Sequence, residues 1–467
     1  MMRILFTIAI FHLICFNSAF GQELQIKVNL ESAANKEVYL AHYYISNIYV
    51  DDTIQLDANG FGILKRDTLL PQGLYKIYMN DKNHFDFILG ADQDFELSNK
   101  TFSGTTIVAN GAIETEEFIK YMNFFMNLKL ERTDILNNLK SATGENKKIL
   151  QNKLSDLTPQ LYNYWEKIND KYPKTFLSSF LMSSYIPELD VSTLPIEIQQ
   201  NDSLLLLAKF RYQQNHYWDY FDYTDERFLY TPLLQPKLET WFTKILYQNY
   251  DSVQPKVFRF IENVQPHKRI FQYAVSWFLN SSINSKVMGM DALFVDIAQA
   301  YYFSGKAYWA NEESMKKIRE NVMFLENNLI GKIAPDLTLE NVDGEFYNLY
   351  QIEKKRTCVL IYEPNCSHCR EFVPQFYKQV YQKYKDKGLE VFAIYSMDNK
   401  EEWTEFLLKH ELWDWINVWD KNHTSQFKIL YDGRITPGIF VLDENKRIIA
   451  KKLTVKQIDQ LMQHDLN

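Results

Sequence analysis

The run Arg356-Thr-Cys-Val-Leu-Ile-Tyr362-Glu-Pro-Asn-Cys366-Ser-His-Cys369-Arg370 decides how the C-terminal part of the chain folds. Residues 356–362 are apolar almost without interruption, as a central parallel strand covered on both faces requires. Residues 367–386 then read as a helix, so two cysteines stand where a strand hands over to a helix. At i and i+3 of a helix their Cβ atoms lie roughly 5 to 6 Å apart, and a disulfide between them can form and open without remodelling the chain. A helix N-terminus carries about half a positive charge and unpaired N–H groups. Cys366 is therefore expected to ionise below the free-thiol value of ~8.5 and to act as the attacking nucleophile. Cys369, one turn deeper, is expected to resolve the mixed disulfide. A zinc site would need further ligands, and no second cysteine pair exists, so neither metal nor cofactor is expected.

Downstream, residues 389–396 repeat the buried-strand pattern and residues 400–409 form a second helix. After Thr436-Pro437 come Gly438-Ile-Phe-Val-Leu442, a turn at Asp443-Glu-Asn445, a strand over 447–452 and a closing helix near 455–462. A βαβ half followed by a ββα half gives one sheet and an α/β fold. The Thr436–Pro437 bond is expected to be cis, which brings the Thr436 backbone beside the thiols, where it can hydrogen-bond an extended substrate strand. Cys358 falls inside the apolar strand and is expected to be an inert core residue.

Upstream, the character changes twice. Residues 24–98 carry short segments of period two between turn signals such as Asp57-Ala-Asn-Gly60, predicting antiparallel strands in a small sandwich. From Glu114 apolar residues recur at three- and four-residue steps, and helical segments continue to Leu329. The aromatic group Tyr212, Tyr217, Trp218, Tyr220 and Phe221 is assigned to packing. The fold class expected is multidomain: an N-terminal all-β sandwich-like domain over residues 22–112, a central all-α domain over 113–331 and a C-terminal α/β domain over 332–467.

Residues 1–21 read as a secretory signal peptide: Met-Met-Arg, an apolar run over 4–16, and small residues Ala19 and Gly21 before Gln22. The apolar run is too short to cross a bilayer core of about 30 Å as a helix. The expected address is the periplasm of a Gram-negative bacterium, with no transmembrane segment in the mature chain; an uncleaved N-terminal anchor is the alternative. The exported chain keeps Cys358, Cys366 and Cys369, too few thiols to staple a chain of this size. Of 467 residues 46% are hydrophobic, with only fifteen glycines and thirteen prolines, which excludes disordered and fibrous classes. A net charge of -8 removes the bulk electrostatic case for a nucleic-acid partner.

Residues 333–463 resemble the TlpA/ResA-type branch of the thioredoxin family, in the opening Ala334-Pro-Asp336, the Cys366-x-x-Cys369 pair after a strand and the Thr436-Pro437 before a hairpin. The resemblance implies a thioredoxin fold, exported thiol-disulfide exchange, and roles for Cys366, Cys369 and Pro437 as nucleophile, resolving thiol and cis-proline. The preceding regions are similar to those of exported Bacteroidota proteins in which a β domain and a helical domain of unassigned activity precede the redox domain, with segments like Met288-Gly-Met-Asp291. The chain departs from the family at Asn365, where Trp is usual, and at Phe372, where ResA-like proteins often place a Glu. Glu371 and Glu363 are read as solvated rather than proton-relaying. His368, between the thiols, is expected to favour the Cys366 thiolate and a more oxidising potential.

These readings predict a protein thiol-disulfide oxidoreductase of the cell envelope, whose partners are protein thiols and disulfides and a membrane electron-relay protein, with the direction of exchange left open. The alternative is an interaction module in which the first 330 or so residues capture a partner or ligand and the redox domain is secondary. A thiol peroxidase is a third, weaker reading, because the Pro-x-x-x-Thr-x-x-Cys arrangement is missing around Cys366.

Overall fold

Alternating apolar residues fold the N-terminal segment into two four-stranded sheets in the computed structural model, which describes residues 23–102, 104 and 106–466. The signal peptide expected over residues 1–21 lies outside the described residues. The strands are β1 (Leu24–Leu30), β2 (Glu37–Tyr44), β3 (Asn47–Gln55), β4 (Phe61–Arg66), β5 (Gly73–Asn80), β6 (Asn83–Leu89), β7 (Asp94–Asn99) and β8 (Val108–Asn110). They are ordered β4-β1-β7-β8 and β3-β2-β5-β6. In β1 the alternation is complete: Leu24, Ile26, Val28 and Leu30 are buried and the residues between them are not. These four enclose one core with Val38, Leu40, Tyr75, Ile77, Phe87 and Leu97. The expectation of a purely antiparallel domain needs one correction, because β1 pairs with β7 in parallel. Period two reports a half-buried strand and is blind to the direction of its neighbour, which the long connection between β1 and β7 sets here.

Helices follow, beginning with Ile113–Leu139 and Gly144–Lys171 and ending with Glu312–Leu325. Among the aromatic residues assigned to packing, Phe221 is buried and stacks on Phe228 with centroids 4.2 Å apart. Tyr220 is 41% exposed, a correction to that assignment: its neighbour takes the inward direction and leaves it at the surface. The chain divides into two compact units, one ending at Trp241 and the other spanning Phe242–Asn467. Among the described residues no helix is long and apolar enough to cross a membrane.

Within the second unit the sheet is seven-stranded: β9 (Thr338–Glu340), β10 (Phe346–Asn348), β11 (Arg356–Tyr362), β12 (Leu389–Tyr395), β13 (Ile416–Trp419), β14 (Gly438–Leu442) and β15 (Ile448–Lys451), ordered β10-β9-β13-β12-β11-β14-β15. β11 and β12 are buried almost throughout because helices cover both faces. One core layer includes Cys369, Val373 and Phe376 and the other Val359, Ile361 and Phe440. The sequence reading missed β9, β10 and β13, which are three or four residues long and too short for a period to register. The long helix expected over 367–386 is broken into Ser367–Phe376, a π turn at Tyr377–Tyr381 and two short helical pieces. Pro374, which has no N–H to give to the preceding turn, stands just before the break.

Candidate active site

Sheet register brings the separated parts of the site together. β11 runs antiparallel to β14 with Ile361 opposite Gly438, so the residues just after β11 meet the residues just before β14. Cys366 leaves the end of β11 on one side and Thr436-Pro437 arrives on the other. The Thr436–Pro437 bond is cis. Cys366 is the N-cap of the Ser367–Phe376 helix, its carbonyl accepting from the Arg370 N–H at 3.1 Å. Its thiol, half-buried, donates to the Thr436 carbonyl at 3.4 Å.

The two thiols have been driven apart in acidity. Partial burial works against ionisation of Cys366, but the N–H groups of Cys369 and His368 and the Thr436 side chain face its sulfur and together hold its pKa below the ordinary value. Cys369 is buried on the helix face that carries Val373 and Phe376, and burial pushes its thiol up to about 12. The Glu363 N–H and the Thr436 side chain oppose that shift without cancelling it. Cys358 is fully buried and its thiol is likewise pushed up to about 12 by burial, as its place in the apolar strand implied. In the reduced protein at pH 7, iodoacetamide is therefore expected to label Cys366 alone, read by peptide mass spectrometry. Labelling of Cys369 or Cys358 within about tenfold of the Cys366 rate contradicts the arrangement, since each pKa unit above pH 7 lowers the thiolate fraction tenfold.

The remaining residues singled out from the sequence are placed as follows. His368 is exposed, and its imidazole makes no hydrogen bond or ion pair with any described residue; its backbone N–H is what reaches Cys366. Asn365 is exposed. Glu371 is exposed on the helix, with Gln375 donating to it at 3.5 Å. Phe372 stacks on Phe376 with centroids 5.8 Å apart and has no atom that accepts a proton. Glu363 is half-buried and accepts from the Ser396 hydroxyl at 3.1 Å, so it is less solvated than the sequence suggested. Sequence reasoning missed the aromatic floor of the site. Tyr362, fully buried, accepts from the indole N–H of Trp403 at 2.8 Å, and Trp403 stacks on Tyr395 with rings 4° from parallel. Only the helical spacing of Trp403, Phe406 and Leu407 hinted at it.

Residues 330–451 match the model of the AhpC/TSA family. The C-terminal domain is a thioredoxin-like thiol-disulfide oxidoreductase domain. Residues 138–328 match a domain of unknown function, DUF5106. Among curated proteins, the thiol-disulfide oxidoreductase ResA of Bacillus cereus is 24% identical over 136 residues, 29% of this chain and 76% of that protein. A thioredoxin-like protein from Bacteroides caccae is 20% identical, covering 60% of this chain and 98% of its own with a TM-score of 0.47. The thioredoxin domain of a thiol-disulfide oxidoreductase from Bacteroides vulgatus is 24% identical, covering 30% and 98% with a TM-score of 0.27.

Proposed function

We propose that the protein is an exported oxidoreductase that exchanges disulfides with protein partners in the periplasm through Cys366 and Cys369. The observation that carries this reading is the split in acidity between a half-exposed thiol at a helix N-terminus and a buried one a turn behind it. The Cys366 thiolate attacks a partner disulfide, forms a mixed disulfide and releases one partner sulfur as thiolate, which takes up a proton. Cys369 then loses its proton and attacks the Cys366 sulfur, releasing the second partner thiol. The partner gains two electrons and two protons, and the enzyme closes its own disulfide; the reverse sequence oxidises a partner dithiol. Thr436-Pro437 holds the partner chain in extended form beside Cys366. The backbone N–H of His368, next to the nucleophile, favours its thiolate, which makes the disulfide easier to reduce and leans the enzyme toward oxidation or isomerisation. In this reading residues 1–21 are a cleaved signal, residues 22–112 and 113–331 form the β and helical domains, residues 332–467 are the redox domain, and a membrane electron-relay protein is a further partner.

The decisive experiment is trapping. Cys369→Ser in the full chain is expected to accumulate mixed disulfides between Cys366 and envelope proteins, resolved on non-reducing gels and released by dithiothreitol. A trap that gathers no adducts, with Cys366 confirmed as reduced beforehand, overturns the reading. A second reading makes partner capture the main task. It is favoured by edge strand β3, which leaves Ile48, Tyr49 and Val50 about half exposed in a row. Full biological function in a variant with both active thiols changed to Ser would establish it.

A further inference from the structure

The loop that carries Thr436-Pro437 is held from outside the thioredoxin-like domain. Arg434, two residues before Thr436, donates through Nε to Asp432 at 2.5 Å and through Nη1 to the side-chain oxygen of Asn321 at 2.9 Å. Its guanidinium carbon lies 4.2 Å from the centroid of the Phe324 ring. Asn321 and Phe324 belong to the Glu312–Leu325 helix, which precedes the redox domain. Just beyond that helix, Asn328 donates to the carbonyl of Leu430 at 3.0 Å. The turn between these anchors is a constrained one. Asp432 has φ +47°, the left-handed region that a non-glycine residue rarely occupies, and the Gly433 N–H closes the turn on the Lys428 carbonyl at 2.8 Å.

A planar guanidinium that spans two acceptors and stacks on a ring fixes a direction that a point charge does not. Here it ties an exposed loop to the Glu312–Leu325 helix, and the next polar residue along that loop is Thr436, against whose carbonyl the Cys366 thiol rests. We infer that Arg434 is a positioning residue for the redox site: together with Asn321 and Phe324 of the Glu312–Leu325 helix it fixes Thr436 against Cys366, so that the helical region sets both the surroundings of the nucleophile and the docking of the partner strand. The inference rests on the disulfide-exchange reading for its docking half only. Besides Thr436, the groups that bear on the Cys366 sulfur among the described residues are Cys369 and His368, and neither is changed in the variants below.

The test uses the full reduced chain with Arg434→Ala, Arg434→Lys and Asn321→Ala. Asn321→Ala removes the helix side of the bridge and leaves every charge in place. The first readout is the pH profile of Cys366 alkylation, followed by thiolate absorbance. Displacing the Thr436 side chain raises the Cys366 pKa, so alkylation at pH 7 is expected to slow about threefold, half a pKa unit, in Arg434→Ala and in the same direction in Asn321→Ala. Arg434→Lys should recover only part of the rate, since it keeps the charge and loses the fork. The second readout is steady-state reduction of a disulfide-bonded peptide, in which KM is expected to rise several-fold with a smaller change in kcat. Wild-type alkylation profiles in both Arg434→Ala and Asn321→Ala overturn the inference, as does full rescue by Lys, which would leave charge as the only cause. If the wild-type protein fails to turn over any disulfide peptide while the profiles still shift, the functional reading falls and the positioning role stands.

Discussion

Insulin reduction driven by a chemical reductant is expected to fall by three orders of magnitude or more in Cys366→Ser. The serine hydroxyl keeps its proton at neutral pH, where the lowered Cys366 pKa leaves a usable fraction of thiolate, and oxygen cannot form the mixed disulfide on which the exchange depends. The N-cap geometry survives the change, because serine is among the preferred residues at that position, so the loss reports chemistry and not unfolding. Cys369→Ser should behave differently. Attack by Cys366 remains and turnover stops one step later, with the enzyme held as mixed disulfide. Cys358→Ala, in the core of β11, should keep turnover within about twofold because its sulfur reaches neither the partner nor the active pair. Residual activity in Cys366→Ser above about a hundredth of wild type would place the chemistry elsewhere in the chain.

The residues that made this site readable are those whose chemistry depends on a neighbour three positions away. Cys366 and Cys369 lie on one stretch of chain, and a strand-to-helix junction dictates that one sulfur caps the helix while the other turns inward. The β sandwich was legible for the same local reason, since Leu24, Ile26, Val28 and Leu30 announce a buried face in seven residues. What stayed hidden depends on long-range register. The approach of Thr436 to Cys366 was legible from the Thr-Pro pair, though the register that delivers it, Ile361 opposite Gly438, was not; the aromatic floor likewise needs Tyr362 and Trp403 to meet through the fold. The tether through Arg434 and Asn321 joins residues 113 positions apart in the chain. No periodicity records such a contact. The parallel pairing of β1 with β7 went unread because alternation carries burial and not direction.

Asp291→Ala is expected to destabilise the C-terminal unit by about 3–5 kcal/mol, the cost of breaking a buried ion pair from one side. Gly289, at φ +86°, begins the Met290–Ile297 helix in a left-handed conformation and sets Asp291 in its first turn. Asp291 meets the Lys451 ammonium at 2.5 Å, with side-chain exposures of 10% and 2%. The same ammonium donates to the backbone and side-chain oxygens of Asn328, at 2.8 and 3.0 Å. Lys451 ends β15, the edge strand of the sheet, so an inward-pointing charge there both discourages edge pairing and demands a buried partner. Removing Asp291 strands the ammonium, whereas Asp291→Leu combined with Lys451→Met removes both charges and should cost under about 2 kcal/mol. Burial already holds the Lys451 pKa below its ordinary value, and Asp291 opposes that shift. Without Asp291 the folded-state pKa drops further below the unfolded value of ~10.4, so the folded state increasingly prefers the neutral amine. The deficit of Asp291→Ala is then largest at neutral pH and shrinks as pH rises toward about 10. Denaturant titration read by pulsed alkylation of Cys358, which is labelled only when the core around β11 opens, measures both effects. A single variant no less stable than the double one, or a deficit that grows with pH, would show that the pair does not bear on the stability of this unit.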